Sequence, residues 1–308
     1  MGKDLRMIYV RIDGRIGNQL FMYAFAKSVS NELNDKNILI DDTEASKKNY
    51  KDCLMEYNFL NVKFVHTHKM LYKSPFIIKN FIFNLYRIVR KRMNYNQRFE
   101  LEKKWQPFFN KNGLILIENG YLPHNVYGCR NVFINGYFQS ANFFEDIQEE
   151  VKKDLFIEEA LYSDYPGLEE IKNKNSVCIS IKVQHNVGNS MYDVCNDGYW
   201  QRAIEYICQK VENPLFFICS DNVEYVKEML IDCDKYEAIF QDSNYPEHIS
   251  LTVMSKCKHF IIGNTSFGWW AQYLSNNKEK IVVAPKKWMA IDMPIDIYQD
   301  GWHLVEVD

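Results

Sequence analysis

The sequence predicts an α/β protein built on parallel sheets, and three observations carry that prediction. Apolar strand-like segments alternate with amphipathic ones through the second half, joined by short connections; helices laid on both faces of a parallel sheet give this pattern. The stretch Met7-Ile8-Tyr9-Val10-Arg11-Ile12 runs through Gly14-Arg15-Ile16-Gly17-Asn18-Gln19 into a helical pattern, a strand–turn–helix unit of the same class. With 308 residues, 47% hydrophobic and 25% charged, the chain has material for two cored domains and lacks the bias of a disordered one.

In chain order, the first strand leads into a helix over 20–33 and a second strand over 37–40, ending at Asp41-Asp42. Regular patterning then lapses until Val132-Phe133-Ile134-Asn135, a short strand. Between them, the segment 69–92 holds seven basic residues and no acidic ones, interleaved with Phe76, Ile77, Ile78, Phe81, Ile82, Phe83, Leu85 and Tyr86. Two readings of this basic helix stay open: it lies on an anionic membrane surface, or it packs its apolar face and solvates its charges. Later strands are expected over 177–181, 215–219, 237–240, 259–262 and 280–284. The helices between them are 198–210, with Trp200, Ala203, Ile204 and Ile207 on one face, then 222–230, 248–256 and 266–274. The charged region 156–174, with Pro166-Gly167, marks a junction, so domains are expected at 1–155 and 156–308.

The net charge of −3 argues against a nucleic-acid partner, which would require a strongly basic surface. Eight cysteines stand at irregular spacing, without a Cys-x-x-Cys pair or a metal-ligand cluster. They read as reduced thiols of a cytoplasmic protein. Met1-Gly2-Lys3-Asp4 leads into a strand with no signal-peptide core, and no later run reaches the roughly 18 apolar residues of a membrane span.

Glycines 14 and 17 clear space above the first strand, the helix offers its partly positive N-terminus, and Asn18 and Gln19 add amides. This suits a nucleotide-sugar or carbohydrate, although plain packing accounts for such a turn too. The Walker and dinucleotide fingerprints are absent. Three strand ends in the second half are also polar. Capping explains Ser220 and Asn222, whereas Asp221 either caps or accepts hydrogen bonds from a nucleobase or ribose. In Gly263-Asn264-Thr265-Ser266-Phe267-Gly268-Trp269-Trp270, hydroxyls and N–H groups at a helix start either cradle a diphosphate or form an N-cap over a tryptophan core. Lys182, leaving the strand 177–181, either neutralises a departing phosphate or ends a strand in solvent.

Taken together, these elements resemble the bacterial α-1,2-fucosyltransferases of glycosyltransferase family 11. The resemblance is carried, in this order, by Gly14-Arg15-Ile16-Gly17-Asn18-Gln19-Leu20-Phe21, Gly136-Tyr137-Phe138-Gln139-Ser140, Ser220-Asp221, and Met254-Ser255-x-Cys257-x-His259 leading into the run 264–270; it ends in Pro285-Lys286-Lys287-Trp288. The glycine loop is also similar to that of protein O-fucosyltransferases. What the resemblance implies is a GT-B fold: two Rossmann-like domains with a cleft between them, GDP-sugar on the C-terminal one and acceptor largely on the N-terminal one. It further implies inversion at the anomeric carbon without metal or cofactor, with GDP-fucose as donor. The implied acceptor is a galactoside, modified at O-2, in a lipid-linked O-antigen-type repeat unit at the inner membrane face, where peripheral contact through 69–92 fits.

One motif departs from the family. Where the family has His-x-Arg-Arg-Gly-Asp-Tyr, this chain reads Ser180-Ile181-Lys182-Val183-Gln184-His185-Asn186. Lys182 falls on the first arginine, which contacts the donor diphosphate, so charge is kept and the two-pronged contact is lost. Val183 replaces the second arginine and His185 the aspartate. GDP-colitose is therefore an alternative donor, and an inactive sugar- or partner-binding homologue is an alternative of another class. Lys182 and the helix start at Thr265, Ser266 and Phe267 are the expected source of positive potential. Gly14, Arg15, Gly17, Asn18 and Gln19 would close over the diphosphate, with Ser220, Asp221 and Asn264 completing the donor site. Asp13 and His185 are the candidate general bases.

Overall fold

A computed structural model describes residues 7–34, 37–184, 186–229 and 235–307. Two compact units divide the chain: Met1–Leu155 with Asp292–Ile297, and Phe156–Ile291 with Tyr298–Asp308. The second domain expected from sequence thus gives a short piece near its end to the first unit. There Asp296 Oδ2 accepts hydrogen bonds from Ser140 Oγ (2.5 Å) and Asn142 Nδ2 (2.9 Å).

The first unit runs β1 (Met7–Arg11), α1 (Ile16–Glu32), β2 (Asn37–Asp41), α2 (Thr43–Lys47), β3 (Val62–Val65), α3 (Ile77–Arg90), α4 (Tyr95–Lys111), β4 (Leu114–Ile117), β5 (Val132–Gly136) and α5 (Gln148–Asp154). Its strands form one parallel sheet in the order β3-β2-β1-β5-β4. Helix α1 is buried on nearly every side because its sequence, Leu20-Phe21-Met22-Tyr23-Ala24-Phe25-Ala26, offers no polar face over two turns. Phe25 stacks on Phe138 at 4.1 Å.

The second unit runs α6 (Leu168–Asn173), β6 (Ser176–Ile181), α7 (Asp197–Lys210), β7 (Leu215–Ser220), α8 (Val223–Met229), β8 (Ala238–Phe240), α9 (Glu247–Met254), β9 (His259–Ile262), α10 (Ser266–Leu274), β10 (Val282–Pro285) and β11 (His303–Val305). All its strands are parallel, in the order β11-β10-β9-β6-β7-β8. Read from the β8 edge this is the doubly wound dinucleotide-fold order, in which the chain steps outward in both directions from a central pair. Strands β6 and β7 are buried along their whole length, as continuous apolar runs in a covered parallel sheet must be. Trp200, Ala203, Ile204 and Ile207 pack as one stripe of α7 onto this sheet.

Each expected strand and each helix outside 69–92 forms close to its expected bounds. Seven elements were not foreseen: α2, β3, α4, β4, α5, α6 and β11. Helices α2, α5 and α6 are only five to seven residues long, too short to show a clear period. Strands β3 and β11 are short edges with little burial, so their patterning is faint. Helix α4 buries only Glu102, Phe109 and Asn110; its readable signal is the capping box of Asn94 and Gln97. Strand β4 is an apolar run of four, too short to distinguish a buried strand from a piece of helix by periodicity.

Candidate functional site

In each unit polar residues gather where the winding reverses. In the second unit that place is the carboxyl end of β6 and β9, paired through Ser180 and Ile262. A cavity of about 180 Å³ lies there, lined by Lys182, Val183, Asn186, Cys195, Trp200 and Asn264, among others. Open α/β sheets bind ligands at such a crevice.

The walls are built by hydrogen bonds from residues the sequence had marked for other tasks. Asp221 Oδ1 accepts from Val183 N (2.7 Å) and Gln184 N (3.3 Å), and its carbonyl accepts from Gln184 Nε2 (2.8 Å). Asp221 therefore fixes the turn that carries Lys182. Asn264 is buried, and its amide ties three segments together. Its Oδ1 accepts from Asn186 Nδ2 (2.9 Å), while its Nδ2 donates to Tyr192 O (3.0 Å) and Trp288 O (3.1 Å). Val183, for which the resemblance implied an arginine, is buried in the apolar core with Tyr199 and Trp200. Burial pushes the Cys195 thiol up to about 12, so it meets the cavity as a neutral group.

Thr265 is the N-cap of α10, its Oγ1 accepting from Gly268 N at 3.0 Å. A Cβ at Gly268 would stand 2.8 Å from Ser180 Oγ, so only glycine lets the helix start sit this close to β6. Trp269 and Trp270 are wholly buried, whereas Ser266 and Phe267 stay partly exposed in the first turn. The cap and tryptophan-core reading of this run therefore holds, and the helix N-terminus still faces the strand edge. Ser220 Oγ accepts from Asn222 N (3.1 Å) and Asn222 Oδ1 from Tyr225 N (3.2 Å), the capping role expected for both.

In the first unit the reversal lies between β1 and β5. Gly14 takes φ +77°, and a Cβ there would come within 2.6 Å of Asn18 Nδ2. Asn18 Oδ1 accepts from Gln139 Nε2 at 2.8 Å, which joins the glycine loop to the 136–140 motif. Gly136 lets β5 end against β4, for a Cβ would sit 1.7 Å from Ile117 O. Gln19 is fully buried. Its Nε2 donates to Gly14 O (2.9 Å) and Lys51 O (2.7 Å), and its Oε1 accepts from Cys53 N (2.9 Å). The expectation that Gln19 reaches a diphosphate is corrected by this: its amide shapes the loop and has nothing left to offer a ligand. Arg15 is the N-cap position of α1, and its carbonyl accepts from Asn18 N and Gln19 N. Gly17 is buried in the first turn of α1. Asp13 accepts from Gly14 N (2.8 Å) and pairs with Lys48, a structural engagement that disfavours it as a base. His185 lies outside the described residues.

A cluster of acids and histidines beside this loop was not foreseen, because β3 was not recognised and His66-x-His68 follows it. Buried Asp41 accepts from Tyr9 Oη and Thr43 Oγ1 and meets His68 Nδ1 at 2.6 Å. Burial alone would raise its carboxyl, but those bonds outweigh it and hold the group below the usual range. His68 Nε2 reaches Glu44 at 2.8 Å, and Glu44 pairs with Arg11 at 3.0 Å, which closes a structural network. Asp42 differs. It is buried with Oδ1 unpartnered, and its Oδ2 holds the Nδ1 of an exposed His66 at 2.7 Å. Asp52 stands in the same field: burial, with the charge of Asp42 adding to it, pushes its carboxyl up to about 6. A buried carboxylate orienting an exposed imidazole is an arrangement suited to accepting a proton.

The family profile of glycosyl transferase family 11 matches residues 7–306. The O-antigen biosynthesis glycosyltransferase WbnK of Escherichia coli is 25% identical, over 96% of this chain and 99% of that one. An α-1,2-colitosyltransferase of the same species is 26% identical, over 92% and 93%. Among solved structures, NodZ α-1,6-fucosyltransferase, soaked with GDP-fucose, superposes with a TM-score of 0.52 at 11% identity, covering 94% of this chain and 99% of NodZ. A point mutant of Arabidopsis thaliana FUT1 in complex with GDP gives 0.51 at 12% identity, covering 92% and 71%. At such identities the structural likeness speaks for the fold, which is GT-B.

Proposed function

Because the chain belongs to glycosyl transferase family 11, we propose that it moves L-fucose from GDP-fucose to O-2 of a galactoside, with inversion, in building an O-antigen-type polysaccharide. GDP-colitose is the second donor to weigh, favoured by the colitosyltransferase relative and by the altered arginine motif. The acceptor galactose sits in a lipid-linked repeat unit, a reading supported by the O-antigen relative.

The observation that carries the proposal is the Lys182-lined cavity at the β6/β9 reversal, next to the start of α10. As the bond from the anomeric carbon to the β-phosphate oxygen breaks, its electron pair stays with GDP. Lys182 and the helix N-terminus stabilise that charge without reorganising. The acceptor oxygen forms the new bond from the opposite face and gives up its proton to a base, a role to which His66, oriented by Asp42, is chemically suited. Asp221 and Asn264 act on donor handling through the loops they tie.

Supplying GDP-fucose, GDP-colitose or GDP-mannose with β-galactosides, and reading the product linkage by NMR, tests the proposal. An O-2 fucosylated or colitosylated galactoside is expected. Transfer from none of the three, together with no GDP binding by calorimetry, would overturn it.

A further inference from the structure

Helix α3 has two apolar faces. Phe83 and Tyr86 turn inward beside Phe76, into a core with Tyr9, Leu116 and Phe133. Ile77, Ile78, Phe81, Leu85, Ile88 and Val89 are exposed, from 48% at Leu85 to 71% at Ile88. At about 100° per residue these six fall within one sector of about 120°, so they form a continuous stripe. Isolated apolar side chains on a surface are ordinary; a stripe of six on one helix marks a contact surface. The packed-helix reading of 69–92 therefore accounts for only a third of the helix's apolar side chains, Ile82, Phe83 and Tyr86.

The charge around the stripe is one-sided. No Asp or Glu stands between Glu56 and Glu100, in a chain whose net charge is −3. Lys79 and Arg90 are engaged within the unit, with Asn112 O and Glu118. Lys69 and Lys73 before the helix, and Lys91 and Arg92 after it, are exposed. Apolar side chains are thus bracketed by cations at both ends.

We propose that α3 lies in the plane of an anionic bilayer, its stripe among the acyl chains and its basic ends on the lipid phosphates. A helix of 14 residues rises about 21 Å, short of the roughly 30 Å hydrocarbon core. Among the described residues no helix is long and apolar enough to cross a membrane, so the stripe rests on one leaflet. A second copy of this chain fits less well. Pairing two stripes in either direction sets cationic ends against cationic ends, whereas anionic lipid complements them. The proposal gives the lipid-linked acceptor of the reading above a surface to be met on.

The test is vesicle flotation of the full chain without donor or acceptor, so its outcome is separate from that of the transferase reading. Binding is expected to vesicles holding phosphatidylglycerol and not to phosphatidylcholine alone. Phe81→Ser with Ile88→Ser should abolish it, and Lys91→Glu with Arg92→Glu should weaken it at least fivefold per charge, about the worth of one basic residue at an anionic surface. Circular dichroism and turnover on a soluble galactoside should stay as in the parent, showing that neither pair unfolds the unit. No binding to anionic vesicles, equal binding by the serine pair, or a dimer in sedimentation that the serine pair dissociates would each overturn the proposal.

Discussion

The two strand-end reversals of this chain use polar side chains in opposite ways. At β1/β5 the recognisable glycine motif is turned on its own backbone: Gln19 is fully committed, and Asn18 is bonded to Gln139. At β6/β9 no arginine stands in the run 180–186, yet the loops tied by Asp221 and Asn264 leave a cavity with Lys182 on its wall. A motif that is easy to read therefore marks a shape that must be kept. Beside that shape the first unit sets His66 on buried Asp42, and the second sets Lys182 in the cavity wall.

Changes at these two groups should have the largest effects and fall on turnover, with folding unchanged. His66→Gln is expected to lower kcat by about 10²–10⁴, the usual contribution of a positioned base. Asp42→Asn should lower kcat in the same direction, since it removes the carboxylate that orients the ring. A kcat unchanged in both variants would remove the pair from the chemistry. Lys182→Ala should cost about 10²–10³ in kcat, or roughly 2.7–4 kcal/mol. Lys182→Arg should recover most of that, because the guanidinium restores charge and adds a two-pronged contact. A rate unaffected by Lys182→Ala would make the cavity wall inert and break the contrast at its second pole.

Gln19→Leu should show the reverse pattern. It takes the side-chain amide away from Gly14 O, Lys51 O and Cys53 N, of which Cys53 N is buried, and a buried group costs about 1–3 kcal/mol when unpaired. A fall of about 1–3 kcal/mol in the unfolding free energy from urea titration is expected, with GDP binding by the folded fraction unchanged. Loss of GDP affinity at full stability would instead return Gln19 to the ligand.

Much of the fold was legible because α/β periodicity is a strong signal: β6 to β10 and their helices follow from apolar runs punctuated at regular spacing. The middle of the first unit was not. There α3 exposes apolar residues and α4 buries a glutamate, so neither obeys the inside–outside rule on which periodicity depends. Of the candidate site, the strand ends were legible and the direction of the side chains was not. Asp221 and Asn264 are polar residues at a ligand edge, and sequence cannot separate a residue that contacts a ligand from one that hydrogen-bonds the loop making the contact. The pairing of Asp42 with His66 joins two strands, one of which had no visible pattern.

Asp52 offers the smallest and sharpest test of the contrast. Its carboxyl is pushed up to about 6 in the folded chain, from an ordinary value of 3.8, by burial first and by the charge of Asp42 second. A raised acid favours the folded state most below its unfolded value. That advantage is lost as pH climbs towards the folded value, because the folded chain must then ionise a half-buried group beside another carboxylate. Asp52→Asn keeps an oxygen for Leu54 N, which Asp52 Oδ1 now receives at 3.0 Å, and carries no charge. The variant should match the parent near pH 4 and exceed it above pH 6 by about 1 kcal/mol, a two-unit shift reduced by solvent screening. Urea midpoints across pH 4–8 give the difference directly. A gain confined to the upper range would mean that the first unit keeps an ionisable acid beside His66 at the expense of its own stability, as expected where the edge of β2 and β3 handles a proton. A flat difference would place Asp52 among the loop-shaping groups with Gln19, leaving His66 and Asp42 alone to set this edge apart.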